Sequence, residues 1–216
     1  MKYYFLGTKF GTAGLGGAFV MTLIPINTFI ILAIFTNRKI SKKDTIALII
    51  GAIGVLTMLN VWSFNIDDIF ALHNIYFILA SIFWPLVTII SSKATDVSPI
   101  VFTFYLYIFT CILNLIFFVD LSTVKYNNFD SIFWVNMMCL SIFASTFSYT
   151  IYFLGIEKLG ARDVSSFLFL VPFFAIILGV IFLEEKINFS IIIGTILTIY
   201  SVKMLNNIKL FKKFNC

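Results

Sequence analysis

The chain has 216 residues, 61% hydrophobic and 12% charged, where soluble domains average roughly 45–50% and about 25%. With a mean hydropathy of +1.05, there is too little polar chain to coat a water-soluble core of this size. The net charge of +5 does not indicate nucleic-acid binding, because the basic residues sit at the ends of apolar runs, where they orient a membrane protein.

Seven apolar runs follow one another, at Ala13–Phe35, Thr45–Ser63, Leu72–Ile90, Pro99–Val119, Ser131–Leu154, Val164–Leu183 and Phe189–Leu205. Each can cross a hydrocarbon layer of about 30 Å. Lipid offers the backbone no hydrogen-bond partners, so the runs are expected to be helices. The predicted fold class is all-α integral membrane, a polytopic helical bundle. Tyr3, Tyr4, Trp62 and Tyr126 lie near predicted ends, as interfacial anchors do. The Met1–Thr12 stub does not read as a signal peptide, since Lys9 interrupts its apolar stretch and the next run is too long.

The loops predict orientation. Arg38, Lys39, Lys42 and Lys43 mark the first loop as cytoplasmic, and Asp67 and Asp68 mark the second as external. Alternation then places Lys93, Lys158, Arg162, Lys209, Lys212 and Lys213 inside. It leaves Lys2, Lys9, Lys125 and Lys186 outside.

A repeat underlies this order. Leu23–Val55 aligns without gaps on Leu170–Val202: Pro25 meets Pro172, Ile34-Phe35 meets Ile181-Phe182, and Lys39-Ile40 meets Lys186-Ile187. One residue out of step, Tyr4-Phe5-Leu6-Gly7 matches Tyr152-Phe153-Leu154-Gly155. The copies fall on the first and sixth runs and so are expected to cross the bilayer in opposite senses. Such an inverted-topology repeat is typical of secondary carriers. The second copy extends over five runs, from about Leu72 to Leu205, and the first over two.

The string Tyr149-Thr-Ile-Tyr-Phe-Leu-Gly-Ile-Glu-Lys-Leu-Gly-Ala161 leads into Pro172, then Glu185 and Gly194. With Ala80, Phe83, Trp84 and the Ala13-Gly-Leu-Gly-Gly17 stretch before Pro25, it resembles the EamA-type drug/metabolite transporter superfamily. The resemblance implies ten helices in two inverted five-helix repeats, with both termini cytoplasmic. It also implies export or exchange of amino acids, nucleobases or related metabolites. On that frame residues 1–68 form the C-terminal part of a first repeat, 69–207 a complete second repeat and 208–216 a basic cytoplasmic tail. The chain departs from the pattern in lacking the first three helices and in carrying Arg38 where the first repeat would match Glu185.

Candidate pathway residues follow from the repeat and from intramembrane polarity. Pro25 and Pro172 each remove a backbone hydrogen bond, freeing the carbonyls of Met21 and Leu168, either as tolerated kinks or as groups facing a cavity. Asn27 and Asn114 are intramembrane amides that need partners. Trp84, Tyr149 and Tyr152 are either ordinary packing or aromatic faces for a planar or cationic solute. Glu185, at the end of the sixth run, is a structural or gating candidate. No Asp, Glu, Lys or Arg lies near the centre of a run, which favours a neutral or zwitterionic solute over a proton relay.

Other features read as structural. Gly11, Gly14, Gly16 and Gly17 follow no strand and do not form a phosphate loop; with Gly51 and Gly54 they let helices approach closely. His73 is a lone interfacial histidine. Cys111, Cys139 and Cys216 have no ligand spacing and imply no disulfide or metal. No HExxH, GxSxG or intramembrane aspartate pair supports an enzyme, and no cofactor is expected. The expected partners are the lipid bilayer and a small-molecule metabolite, in a bacterial inner membrane. A homodimer, or a partner chain supplying the missing helices, is the alternative arrangement, as is a non-transporting remnant.

Overall fold

The computed structural model describes residues 2–36, 39–94, 96–117, 129–184 and 187–207. Among them there is no strand. The elements are α1 (Lys2–Phe10), α2 (Ala13–Thr36), α3 (Lys42–Met58), the single turn α4 (Ile66–Ile69), α5 (Ile75–Lys93), α6 (Pro99–Phe117), α7 (Ser131–Cys139), α8 (Ser148–Leu159), α9 (Ala161–Ser166), α10 (Val171–Leu183) and α11 (Phe189–Leu205). The chain is an all-helical, membrane-associated bundle.

Five helical stretches are long and apolar enough to cross a bilayer: Gly14–Thr36, Ile66–Lys93, Pro99–Phe117, Ser131–Leu159 and Ala161–Phe182. This corrects the expectation of seven. The other two runs form α3 and α11, of 17 residues each, or about 25 Å at 1.5 Å per residue, the lower edge of a span. The run expected to reach Ser63 stops at Met58, because Asn60 takes a left-handed conformation with φ 49°. Asn207 does the same after α11, with φ 50°.

Contacts divide the chain into two units, Met1–Ile89 with Ala161–Cys216, and Ile90–Gly160. The first is built around α3 and α11, its most extensively packed helix pair. Their interface is made of small residues. A Cβ on Gly194 would lie 2.5 Å from the Gly54 carbonyl oxygen, and one on Gly51 would lie 2.6 Å from Ser201 Oγ. Ser201 Oγ donates to the Ala47 carbonyl at 2.6 Å. Small residues let two backbones meet and exchange such bonds where lipid gives no hydrophobic drive. Phe29, Leu48, Val55, Phe169, Val202 and Leu205 seal the same core.

Within this unit the stub is a helix. Gly7 of α1 packs against Phe77 of α5, whose ring also meets Tyr4 edge-on at 5.9 Å. His73 lies over Gly11, where a Cβ would be 2.8 Å from its ring. His73 therefore packs on the turn that leads into α2.

In the second unit α7 passes into α8 through a π-helical segment, Leu140–Phe147. Thr146 and Ser148 hydroxyls donate to the carbonyls five residues back, Ser141 and Phe143, at 2.9 Å each. These hydroxyls supply bonds in the wider register. α6 and α8 pack through Phe102 and Phe153, edge-on at 4.9 Å. At the end of α8, Gly160 adopts φ 88°, a conformation that side chains resist.

Candidate functional site

In the first unit the site begins at a proline the sequence reading passed over. Pro85 lies inside α5 and is fully buried. It has no N–H, so the carbonyl of Ser81, four residues back, loses its helical donor. Asn27 supplies one: its Nδ2 donates to Ser81 O at 3.0 Å and to Ser81 Oγ at 3.1 Å. The amide of α2 thereby satisfies a carbonyl that a proline in α5 has freed. Pro85 stands inside the third apolar run and was visible there; what the sequence lacked was its pairing with Asn27.

Trp84 precedes Pro85 and packs, partly buried, on the cluster of Val20, Ile24 and Phe77. Its carbonyl accepts from Thr88 Oγ1 at 3.0 Å. Pro25 is buried inside continuous α2, as expected, and leaves the Met21 carbonyl without its helical donor. Beside it, Thr22 Oγ1 is buried with no hydrogen-bond partner among the described residues, a polar atom for which the fold supplies no use.

Pro172 differs from its match. The run divides into α9, a 3₁₀ turn at Phe167–Leu170 and α10, and Pro172 occupies the first turn of α10. There its missing N–H has no helical role. The expectation of a proline within a continuous helix holds for Pro25 alone.

The remaining described candidates belong to the second unit. Asn114 Nδ2 donates to Thr110 O at 2.7 Å within its own helix. Tyr149 stacks on Tyr107 at 6.0 Å with 12° between the planes, and Tyr152 meets Phe153 edge-on at 5.7 Å. A cavity of about 260 Å³ in this unit is lined by Ser91, Ser92, Phe102, Phe153 and Glu157, among others. Glu185 and Cys216 lie outside the described residues.

A third cluster was not foreseen. Asp44, 6% exposed, closes a capping box at the start of α3: its backbone N–H donates to Ser41 Oγ at 3.1 Å, and its carboxylate accepts from Ser41 N–H at 3.3 Å. The same carboxylate takes an ion pair with Arg162 of α9 at 2.5 Å, and the guanidinium lies 4.8 Å from the ring centroid of Phe29. Nearby, Asn206 Nδ2 donates to Ser166 Oγ at 2.6 Å, and Lys43 bonds Asn207. Lys43, Arg162 and the end of α11 thus meet at one end of this unit. Ser41 and Asp44 have the capping-box spacing, but pairing with Arg162 needs the fold.

Comparison with known proteins adds to this geometry. The chain is 24% identical over 218 residues to a protein of Bacillus subtilis (strain 168) named "Uncharacterized transporter YyaM", covering 98% of this chain and 70% of that one. A solved structure titled "Crystal structure of protein" matches with a TM-score of 0.72 at 16% identity, over 94% of this chain and 71% of the other. That likeness concerns the fold. The model of the EamA-like transporter family matches residues 72–207, from the helix that carries Pro85 to the end of α11. That is more than half of the chain, and the protein accordingly belongs to the EamA-like transporter family, a family of transporters and not of enzymes.

Proposed function

We propose that the chain is a secondary carrier, an exporter or exchanger of a small organic metabolite such as an amino acid or a nucleotide-related compound, working by alternating access. One observation carries this reading: the way α3 meets α11. Extending the gapless repeat alignment sets Lys42–Met58 on Phe189–Leu205, the observed bounds of both helices, and sets Asn60 on Asn207, both left-handed.

The contacts then come in swapped pairs. Gly51 faces Ser201 and Gly54 faces Thr198; in the alignment Gly51 matches Thr198 and Gly54 matches Ser201. Ala47 bonds Ser201, and their matches Gly194 and Gly54 touch. A residue meeting its neighbour's match, in both directions, is the signature of a two-fold relation. Here the axis would lie between antiparallel helices of one chain. Two related halves of opposite sense can exchange roles around a shared site, which opens it to each side in turn.

On this reading α3 and α11 also span the bilayer, which gives seven spans of a ten-helix pattern. Residues 1–68 and 69–207 are then parts of the two repeats, and 208–216 a cytoplasmic tail. Pro25, Asn27, Trp84 and Pro172 in the first unit, with Asn114, Tyr149 and Tyr152 in the second, are pathway candidates, and Glu185 is a gating one. Thr22 and the freed Met21 carbonyl join them.

The test is counterflow of a labelled panel of amino acids, nucleobases and nucleosides into vesicles holding the full chain. Exchange above empty vesicles is expected for at least one solute. Asn27→Ala and Pro172→Ala should lower its rate roughly tenfold, of the order of a lost group that positions a solute, with insertion unchanged. Unchanged rates would remove them from the pathway, and exchange of nothing would overturn transport by this chain.

A further inference from the structure

The swapped pairing makes a search for asymmetry informative, because whatever two matched ends do not share must act on one end alone. We infer that Asp44 and Arg162 are positioning residues that latch the lysine-rich end of the first unit shut and set the balance between the two states of the carrier; this rests on the alternating-access reading above.

The latch has no counterpart. Asp44 matches Ile191 and Phe29 matches Ile176, and carrying the same register upstream of Leu23 and Leu170 sets Arg162 on Leu15. Ser166 and Asn206, which bond one another beside the latch, match Phe19 and Leu59. Each of these four polar residues is replaced by an apolar one. Ser41, whose hydroxyl caps α3, matches Asn188, whose side chain makes no cap bond to α11. Packing follows the same division. α3 packs on both the Phe167–Leu170 turn and α10, whereas α11 against α2, the matched approach, is not among the principal helix contacts of the described residues.

An ion pair between a buried carboxylate and a half-exposed guanidinium, with an aromatic face behind it, stabilises the arrangement in which it forms. Separating the partners would leave the carboxylate at 6% exposure without its counter-charge. At the matched positions of the other end, Leu15, Phe19, Leu59 and Ile191 offer only apolar side chains. Two otherwise related states therefore differ in free energy, and the one closed at the lysine-rich end predominates.

The test uses the matched buried positions Ser165, behind the latch, and Ala18 at the other end, 0% and 2% exposed. Each is made the sole cysteine of the full chain (S165C or A18C) in nanodiscs, where a polar maleimide reaches both faces. Arg162→Gln breaks the pair but keeps the Ser41–Asp44 cap. It should raise labelling at Ser165→Cys and lower it at Ala18→Cys, changing their ratio roughly tenfold, the size of a modest shift between two states. The swap Asp44→Arg with Arg162→Asp should return the ratio toward that of the parent. An unchanged ratio, or labelling that rises at both positions together, overturns the latch.

A chain with both cysteines separates the two readings. If labelling one position protects the other but Arg162→Gln leaves the ratio alone, the latch falls and alternating access stands. If neither position ever protects the other, both fall.

Discussion

The stretches Ala13–Met58 and Ala161–Leu205, in register from Leu23 and Leu170 onward, end in the same left-handed asparagine and pack on each other through small residues. They differ in what they put at their ends. The first is one continuous helix with a buried proline, followed by a helix with a full capping box. The second is broken into α9, a 3₁₀ turn and α10, followed by a helix whose N-cap makes no side-chain bond. The shared part is backbone geometry and the unshared part is polar chemistry. A repeat can thus keep its packing, which tolerates few side chains, while its ends diverge.

The sharpest way to break the comparison is at its centre. Gly194 matches Ala47, so one copy already carries the methyl group the other lacks. On Gly194 that methyl would strike the Gly54 carbonyl and the backbone of Met58, neither of which can rotate away. Gly194→Ala should cost about 1–3 kcal/mol, the range for overpacking, read by denaturant titration in detergent. Gly17→Ala, with nothing within 4 Å of the new Cβ, should leave the midpoint in place. Equal effects would mean that close approach does not hold α3 to α11.

A smaller difference should separate the two caps. Ser41→Ala should cost about 1 kcal/mol, the usual value of an N-cap side chain, while Asn188→Ala should cost a few tenths at most because no cap bond is lost. Comparable losses would remove the asymmetry of the ends. The smallest effect belongs to Ser201→Ala, which deletes one interhelical bond to Ala47. In membrane proteins such bonds average about 0.6 kcal/mol, and the matched residue Gly54 makes no such bond at all. A cost like that of Gly194→Ala would mean the hydroxyl, rather than the close packing, holds the pair.

The site was legible only in part. Pro25, Asn27 and Trp84 were marked by type and place, and they lie in α2 and α5, helices joined by the Asn27–Ser81 bonds. Asn114 was marked too, yet its amide bonds its own helix, which periodicity cannot reveal. Pro85 was overlooked because it belongs to no repeat match. Asp44 carried no reading in the sequence, and its pairing with Arg162 of α9 needs the fold.

Hydropathy by itself determined that the chain is helical and membrane-bound, since lipid forces any long apolar run to bond its own backbone. Sequence spacing likewise determined the register of the two copies, because a gapless match preserves every helical turn. Where α3 stops, which carbonyl Asn27 answers and which arginine meets Asp44 were decided only by the tertiary structure. Each depends on how one helix is rotated and advanced against another. That is set by the fit of small residues and close backbones, and the order of apolar letters does not encode it.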